Sequence, residues 1–189
     1  MPTILIIRHA EKPEPGGDAG VDGSGASDSK SLTPRGWQRS GAWAELFAPS
    51  LRQQPAVAKP TAVFASAPAT HADIAAGKSG SKSRRPLETV SPLAAKLSIE
   101  IDVRFGKGKE TDLAAAISAI EGVVLVCWQH EDIVAIATAL APGEAHIPAR
   151  WPGDCFNVVF RFDRPDSKSP WVFQQVVPVM LKGDRTGQL

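Results

Sequence analysis

His9 and His130 are the residues of this sequence best placed to do chemistry, because each closes an apolar run, residues 3–7 followed by Arg8 and residues 123–128 followed by Gln129. Short β-branched-rich runs of this kind read as buried strands, and open α/β sheets place their sites at the carboxyl ends of such strands. In a parallel sheet both ends converge at one edge, so the two histidines are expected to face each other although they lie far apart in the chain. A third element, Arg84-Arg85-Pro86-Leu87-Glu88-Thr89, sets two guanidinium groups just before an expected helix start, where free backbone N–H groups and the helix dipole also favour an anion. Two histidines with two or three arginines suit a tetrahedral dianion, since the guanidinium fork donates paired hydrogen bonds to phosphate oxygens and stays charged at any working pH. The chain has no HxxxH or HxH spacing, which disfavours a metal hydrolase, and neither a metal nor another cofactor is expected.

The elements that must position these residues are legible as an alternation. Thr33-Pro34-Arg35-Gly36 opens a helix, with Thr33 as N-cap and Pro34 in the favoured first position, and Trp37, Ala44 and Phe47 or Trp43, Leu46 and Leu51 recur at near-helical spacing. Further helices are expected over 86–97 despite Pro92, over 112–120, and from the cluster Gln129-His130-Glu131-Asp132 onward. Strands are expected over 61–66, weakly over 99–103, strongly over 123–128, and over 155–162 and 171–177. Strands alternating with helices predict a three-layer α/β/α sandwich with a largely parallel sheet, in a single domain over residues 1–189. Residues 13–31 and 67–83, rich in glycine, serine and other small residues, read as irregular loops, the first long, mobile and able to cover the site.

Composition bounds the partners. The 21 basic and 20 acidic residues nearly cancel, so no global positive field draws in nucleic acid or an anionic membrane, and attraction for an anionic substrate must be local. The first apolar run is too short for a signal peptide and no later run approaches membrane length. Cys127 and Cys155 read as small core residues, which suits a reducing compartment, and a cytoplasmic protein is expected.

Arg8-His9-Ala10-Glu11-Lys12 after an apolar strand resembles the arginine-histidine signature of the histidine phosphatase superfamily, with its phosphoglycerate mutase-like fold, in the branch that reads RHAEK. Leu32-Thr33-Pro34-Arg35-Gly36 resembles the family's L-T-x-x-G helix start, Arg85-Pro86-Leu87-Glu88-Thr89 its R-x-x-x-T element, and residues 124–130, VLVCWQH, the strand carrying its second histidine. Each motif is short; their ordered set over about residues 3–160 is specific. The resemblance implies that His9 is a nucleophile accepting a phosphoryl group and that Arg8, Arg85 and His130 complete the phosphate pocket. The implied enzyme is a metal-independent phosphatase acting on a small phosphorylated substrate.

Three departures accompany the match. A long polar insert separates Phe64-Ala65-Ser66-Ala67-Pro68 from Arg85, and the spacing to Thr89 selects Arg85 over Arg84, which reads as a surface charge or secondary contact. Glu131-Asp132 replaces the usual small residue after the second histidine, so Glu131, Asp132 and Glu11 are all candidates for the proton donor, Glu131 being preferred because it adjoins His130. Lys12 is a candidate substrate contact. His71 and His146 read as loop residues, and the tryptophans as core, with Trp37, Trp128 and Trp151 able to border a pocket. The rival functions are a phosphoglycerate mutase-type phosphoryl transfer and a catalytically idle phosphate-binding module.

Overall fold

The computed structural model describes residues 1–51, 57–76, 80–166 and 168–189. Residues 77–79 of the expected second loop, Lys78 among them, lie outside the described residues. The strands are β1 (Thr3–Arg8), β2 (Ala62–Ala65), β3 (Ile101–Asp102), β4 (Val123–Trp128), β5 (Val159–Asp163) and β6 (Val172–Val176), in one six-stranded sheet of order β3-β2-β4-β1-β5-β6. The first four strands of that order are parallel, and the β5–β6 hairpin adds to β1 in antiparallel fashion. The helices are α1 (Pro34–Phe47), α2 (His71–Ala75), α3 (Arg85–Leu97), α4 (Glu110–Ser118) and α5 (His130–Leu140).

Strand periodicity explains the layers. Leu5, Ile7, Leu125 and Cys127 point to one face, where they bury Trp43 and Phe47 of α1 and Val90 and Leu93 of α3. Ile4, Ile6, Val124, Val126 and Trp128 point to the other, against Leu113 and Ile117 of α4 and Ile133 and Ile136 of α5. A strand buried on both faces has no polar alternation, which is why β1 and β4 read as continuous apolar runs. The expected three-layer α/β fold with a parallel centre is present.

The boundaries differ in instructive ways. Helix α3 begins at Arg85 and carries Pro92 inside it; the Glu88 carbonyl that proline leaves without an amide partner accepts from the Ser91 hydroxyl at 3.0 Å. β5 starts at Val159, four residues later than expected, because Pro152, Gly153 and Cys155 turn their carbonyls onto Arg8 and Trp151. Within the expected second loop, Thr70 and Asp73 cap each other's backbone N–H groups at 3.1 Å and open the short helix α2, so His71 is its first residue. Residues 13–31 are irregular as composition predicts, yet tied down: Trp37 Nε1 donates to the Val21 carbonyl at 2.8 Å, and the buried Glu88 carboxylate accepts from Ser31 Oγ at 2.6 Å and Leu32 N at 3.0 Å. Among the described residues no helix is long and apolar enough to cross a membrane.

Candidate active site

The register carries the sequence-predicted residues to one edge. Arg8 pairs with Trp128 across β1 and β4, and the next amide, His9 N, donates to the Trp128 carbonyl at 3.0 Å. His9 and His130 therefore leave the ends of adjacent parallel strands, His130 as the first residue of α5. Arg85 reaches the same edge at the start of α3, tied to β1 through Thr89, whose hydroxyl accepts from Ala10 N at 2.8 Å and donates to the Arg85 carbonyl at 2.7 Å.

His9 is buried, with Nδ1 2.8 Å from the Ala10 carbonyl. A carbonyl only accepts, so Nδ1 carries the proton and Nε2 keeps its lone pair. Burial foremost, then the positive charges of Arg8, Arg85 and His130, pull the His9 pKa down to about 3 against the opposing pull of the Ala10 hydrogen bond. The imidazole is thus neutral and nucleophilic at neutral pH. This carries a consequence for stability: the unfolded chain protonates His9 below its ordinary 6.5 and the folded chain does not until about 3, so stability present at neutral pH is lost as pH falls through that window. By linkage the loss attributable to His9 at pH 5 is on the order of 2 kcal/mol. Urea unfolding at pH 7 and pH 5 should show a smaller drop for His9→Ala than for the parent chain; equal drops would contradict the neutral buried imidazole.

Arg8 is fully buried, and burial pulls its pKa to about 10, which leaves it charged at neutral pH. Its Nη1 donates to the carbonyls of Gly153, Cys155 (3.3 Å) and Pro152 (3.4 Å), and the Phe156 ring centroid lies 3.9 Å from its Cζ. Nε and Nη2 have no hydrogen-bond partner among the described residues. A buried guanidinium held along one side and unsatisfied along the other is built to receive an acceptor with two oxygens.

Arg85 is placed differently. Its Nε and Nη2 donate to the carbonyls of Ser31 (3.1 Å) and Ser29 (2.6 Å), so the end of the 13–31 loop holds it, while its charge still acts on His9. His130 is partly buried, and burial, then Arg8 and Lys12, hold its pKa below the ordinary value against Glu131 and Asp132. Its Nδ1 lies 2.8 Å from Glu131 Oε2 as an ion-pair contact without hydrogen-bond alignment. A Cβ built on Gly153 would lie 3.7 Å from His130 Nε2, so the loop that grips Arg8 also borders the second histidine.

The three candidate acids separate by environment. Glu11 accepts from Arg39 at 2.8 Å and Arg35 at 3.2 Å, and Arg39 pairs onward with Asp184 at 2.7 Å. Its carboxylate is therefore taken up in a network joining α1 to the C-terminal segment. Burial raises Glu131's pKa, but its own backbone N–H, His130 and Lys107 outweigh this and hold it low. Asp132 is raised, by burial first and then by Glu110 and Glu131, against Lys107 at 3.2 Å. Lys12 is paired with Glu14 at 3.3 Å. Arg84 is exposed and pairs loosely with Asp28 and Glu88, His146 is exposed beside Glu144, and Trp128 and Trp151 are buried, with their indole N–H groups on Glu110 and the Cys155 carbonyl.

Sequence reasoning missed residues 152–157. Their carbonyls and the Phe156 ring fix Arg8, and the buried Asn157 amide ties the loop to the C-terminal segment through the carbonyls of Pro178 (2.8 Å) and Arg185 (2.9 Å). Backbone acceptors leave no residue-type signal. Only the polar Asn157 among apolar neighbours hinted at a buried role.

A parallel sheet with an antiparallel edge hairpin, flanked by helices and bearing two histidines at adjacent strand ends, defines the phosphoglycerate mutase-like fold. The chain is similar to a solved structure of the protein histidine phosphatase SixA complexed with tungstate, with a TM-score of 0.56 and 16% identity over 93% of this chain and 96% of that one. It is also similar to a structure assigned as the phosphohistidine phosphatase SixA from Agrobacterium tumefaciens, with a TM-score of 0.51 and 15% identity over 93% and 97%. At these identities the likeness is one of fold. No protein-family model matches the sequence, and no curated protein sequence does.

Proposed function

We propose that this chain is a metal-independent phosphatase that hydrolyses a phosphomonoester through a phosphohistidine on His9. The observation that carries the reading is the pairing of a neutral buried His9, whose lone pair lies on Nε2, with an Arg8 whose Nε and Nη2 are buried and unsatisfied among the described residues. In the first step Nε2 attacks phosphorus and the bond to the leaving oxygen breaks, that oxygen taking a proton from a neighbouring carboxylic acid. In the second, water gives a proton to that carboxylate and attacks phosphorus, and the P–N bond breaks, returning the electron pair to His9. Arg8, Arg85 and His130, which takes up a proton once the dianion binds beside it, offset the charge on the phosphoryl oxygens, and Lys12 contributes to the rim. Arg85 reaches those oxygens by leaving the Ser29 and Ser31 carbonyls.

The likeness to a structure named as a protein histidine phosphatase brings protein phosphohistidine in as a second substrate class beside small phosphomonoesters. Comparing release of phosphate from a phosphohistidine protein and from an aryl phosphate decides between them.

If arginines rather than metal ions neutralise the phosphoryl group, vanadate inhibits and chelators leave turnover unchanged. Activity that disappears with chelator and returns with a divalent ion would contradict the reading. For the proton donor, contact with His130 favours Glu131, whereas the raised pKa favours Asp132. Loss of the donor slows alkyl phosphates far more than aryl phosphates with acidic leaving groups, by about tenfold to a thousandfold. Glu131→Gln and Asp132→Asn that both keep the parental ratio of the two substrates would place the donor elsewhere.

A further inference from the structure

Gln129 links the end of β4 to His130 at the start of α5. It is 4% exposed, and neither Oε1 nor Nε2 of its carboxamide has a hydrogen-bond partner among the described residues. It stands in the N-cap position of α5, yet its side chain makes no cap hydrogen bond; the amide of Asp132 is satisfied by the Gln129 backbone carbonyl at 3.1 Å. A buried carboxamide unsatisfied at both ends is uncommon and calls for a ligand that can both accept and donate.

Its place follows from the register. Arg8 faces Trp128, so continuing the parallel pairing by one residue sets Gln129 beside His9, about 5 Å away at the spacing of neighbouring strands. Ile7 and Cys127 share the sheet face covered by α1 and α3, and the extended backbone of Gln129 (φ −76°, ψ 137°) continues the alternation that puts Gln129 on that same face with His9. The register therefore sets the Gln129 backbone beside that of the nucleophile, and the buried amide of Gln129 and the open side of Arg8 both belong to the ends of these two strands.

We propose that Gln129 is a further residue of the phosphoryl pocket, its Nε2 donating to a phosphoryl oxygen on His9 and its Oε1 accepting from the water that attacks phosphorus. This rests on the phosphatase reading above. The amide is too weak a base to take the proton; the water's proton passes to the carboxylate that protonated the leaving oxygen, phosphorus leaves Nε2, and the products are inorganic phosphate and neutral His9. Gln129 selects hydrolysis over return of the phosphoryl group to a second substrate oxygen, because it holds water in line.

The test uses the full chain with Gln129→Met, which is close in shape, and Gln129→Leu. Both variants should melt no lower than the parent, since they replace an unsatisfied buried amide by apolar groups. Tungstate binding, followed by calorimetry, should weaken about tenfold or more, and phosphorylated His9 should accumulate in steady state because its hydrolysis slows about tenfold to a hundredfold while its formation slows less. Tungstate affinity within about twofold of the parent in either folded variant, or no build-up of phosphorylated His9, overturns the proposal. A parent chain that forms no phosphohistidine at all overturns the phosphatase reading and the water-orienting role with it, and the calorimetry then still decides the oxyanion contact.

Discussion

His9→Ala is expected to abolish phosphate release, by roughly ten-thousandfold or more, while the protein stays folded. The substitution removes the atom that attacks phosphorus. Its structural cost is small by comparison, because among the described residues the His9 side chain hydrogen-bonds to the carbonyl of its neighbour Ala10 alone. The apolar residues that precede it in β1, Ile4 to Ile7, keep their contacts with both helical layers. Circular dichroism and the unfolding midpoint establish that the variant folds, and turnover of an aryl phosphate reads the effect. Turnover near that of the parent would remove His9 from the mechanism.

The second large effect is expected at Arg8. Arg8→Lys keeps a positive charge but loses the planar fork, so that one side can no longer stay on the carbonyls of Pro152, Gly153 and Cys155 while the other binds two oxygens. We expect kcat/KM to fall on the order of a hundredfold to a thousandfold, with tungstate affinity falling in parallel, because the lost donors act on charge that develops in the transition state. A lysine variant within about tenfold of the parent would show that charge alone suffices and that the unsatisfied Nε and Nη2 have no part in binding.

Much of this arrangement is legible in the residues. The runs that become β1 and β4 are apolar on both faces because helices cover both faces, and each stops where polar residues reach the strand end. Thr33 does cap α1, its hydroxyl accepting from Gly36 N at 3.2 Å, and Gly36 itself is required by the close approach of Glu11, whose carbonyl would lie 2.6 Å from a Cβ there. Arg85, the arginine that the spacing to Thr89 selects, opens α3 with its charge acting on His9, whereas Arg84 is exposed.

What the sequence hid are interactions that depend on distant partners. Glu11 looks like a free acid beside His9 until Arg39 and Asp184 are brought to it from α1 and the C-terminal segment. Residues 13–31 look unstructured by composition because contacts that hold them, to Val21 and Ser31, come from Trp37 and Glu88, outside the stretch. The grip on Arg8 comes from backbone carbonyls, which any residue type supplies. Gln129 reads as an ordinary polar residue at a helix start until the structure shows both ends of its amide buried and unsatisfied.

The most direct test of the account is the site of phosphorylation. The enzyme is mixed with an aryl phosphate, quenched rapidly without acid, digested and examined by mass spectrometry. A phosphoryl group is expected on His9, stable to alkali and labile to acid, that forms and decays fast enough to carry turnover. A turning-over enzyme with no phosphohistidine, or with the phosphoryl group on another residue, would contradict it.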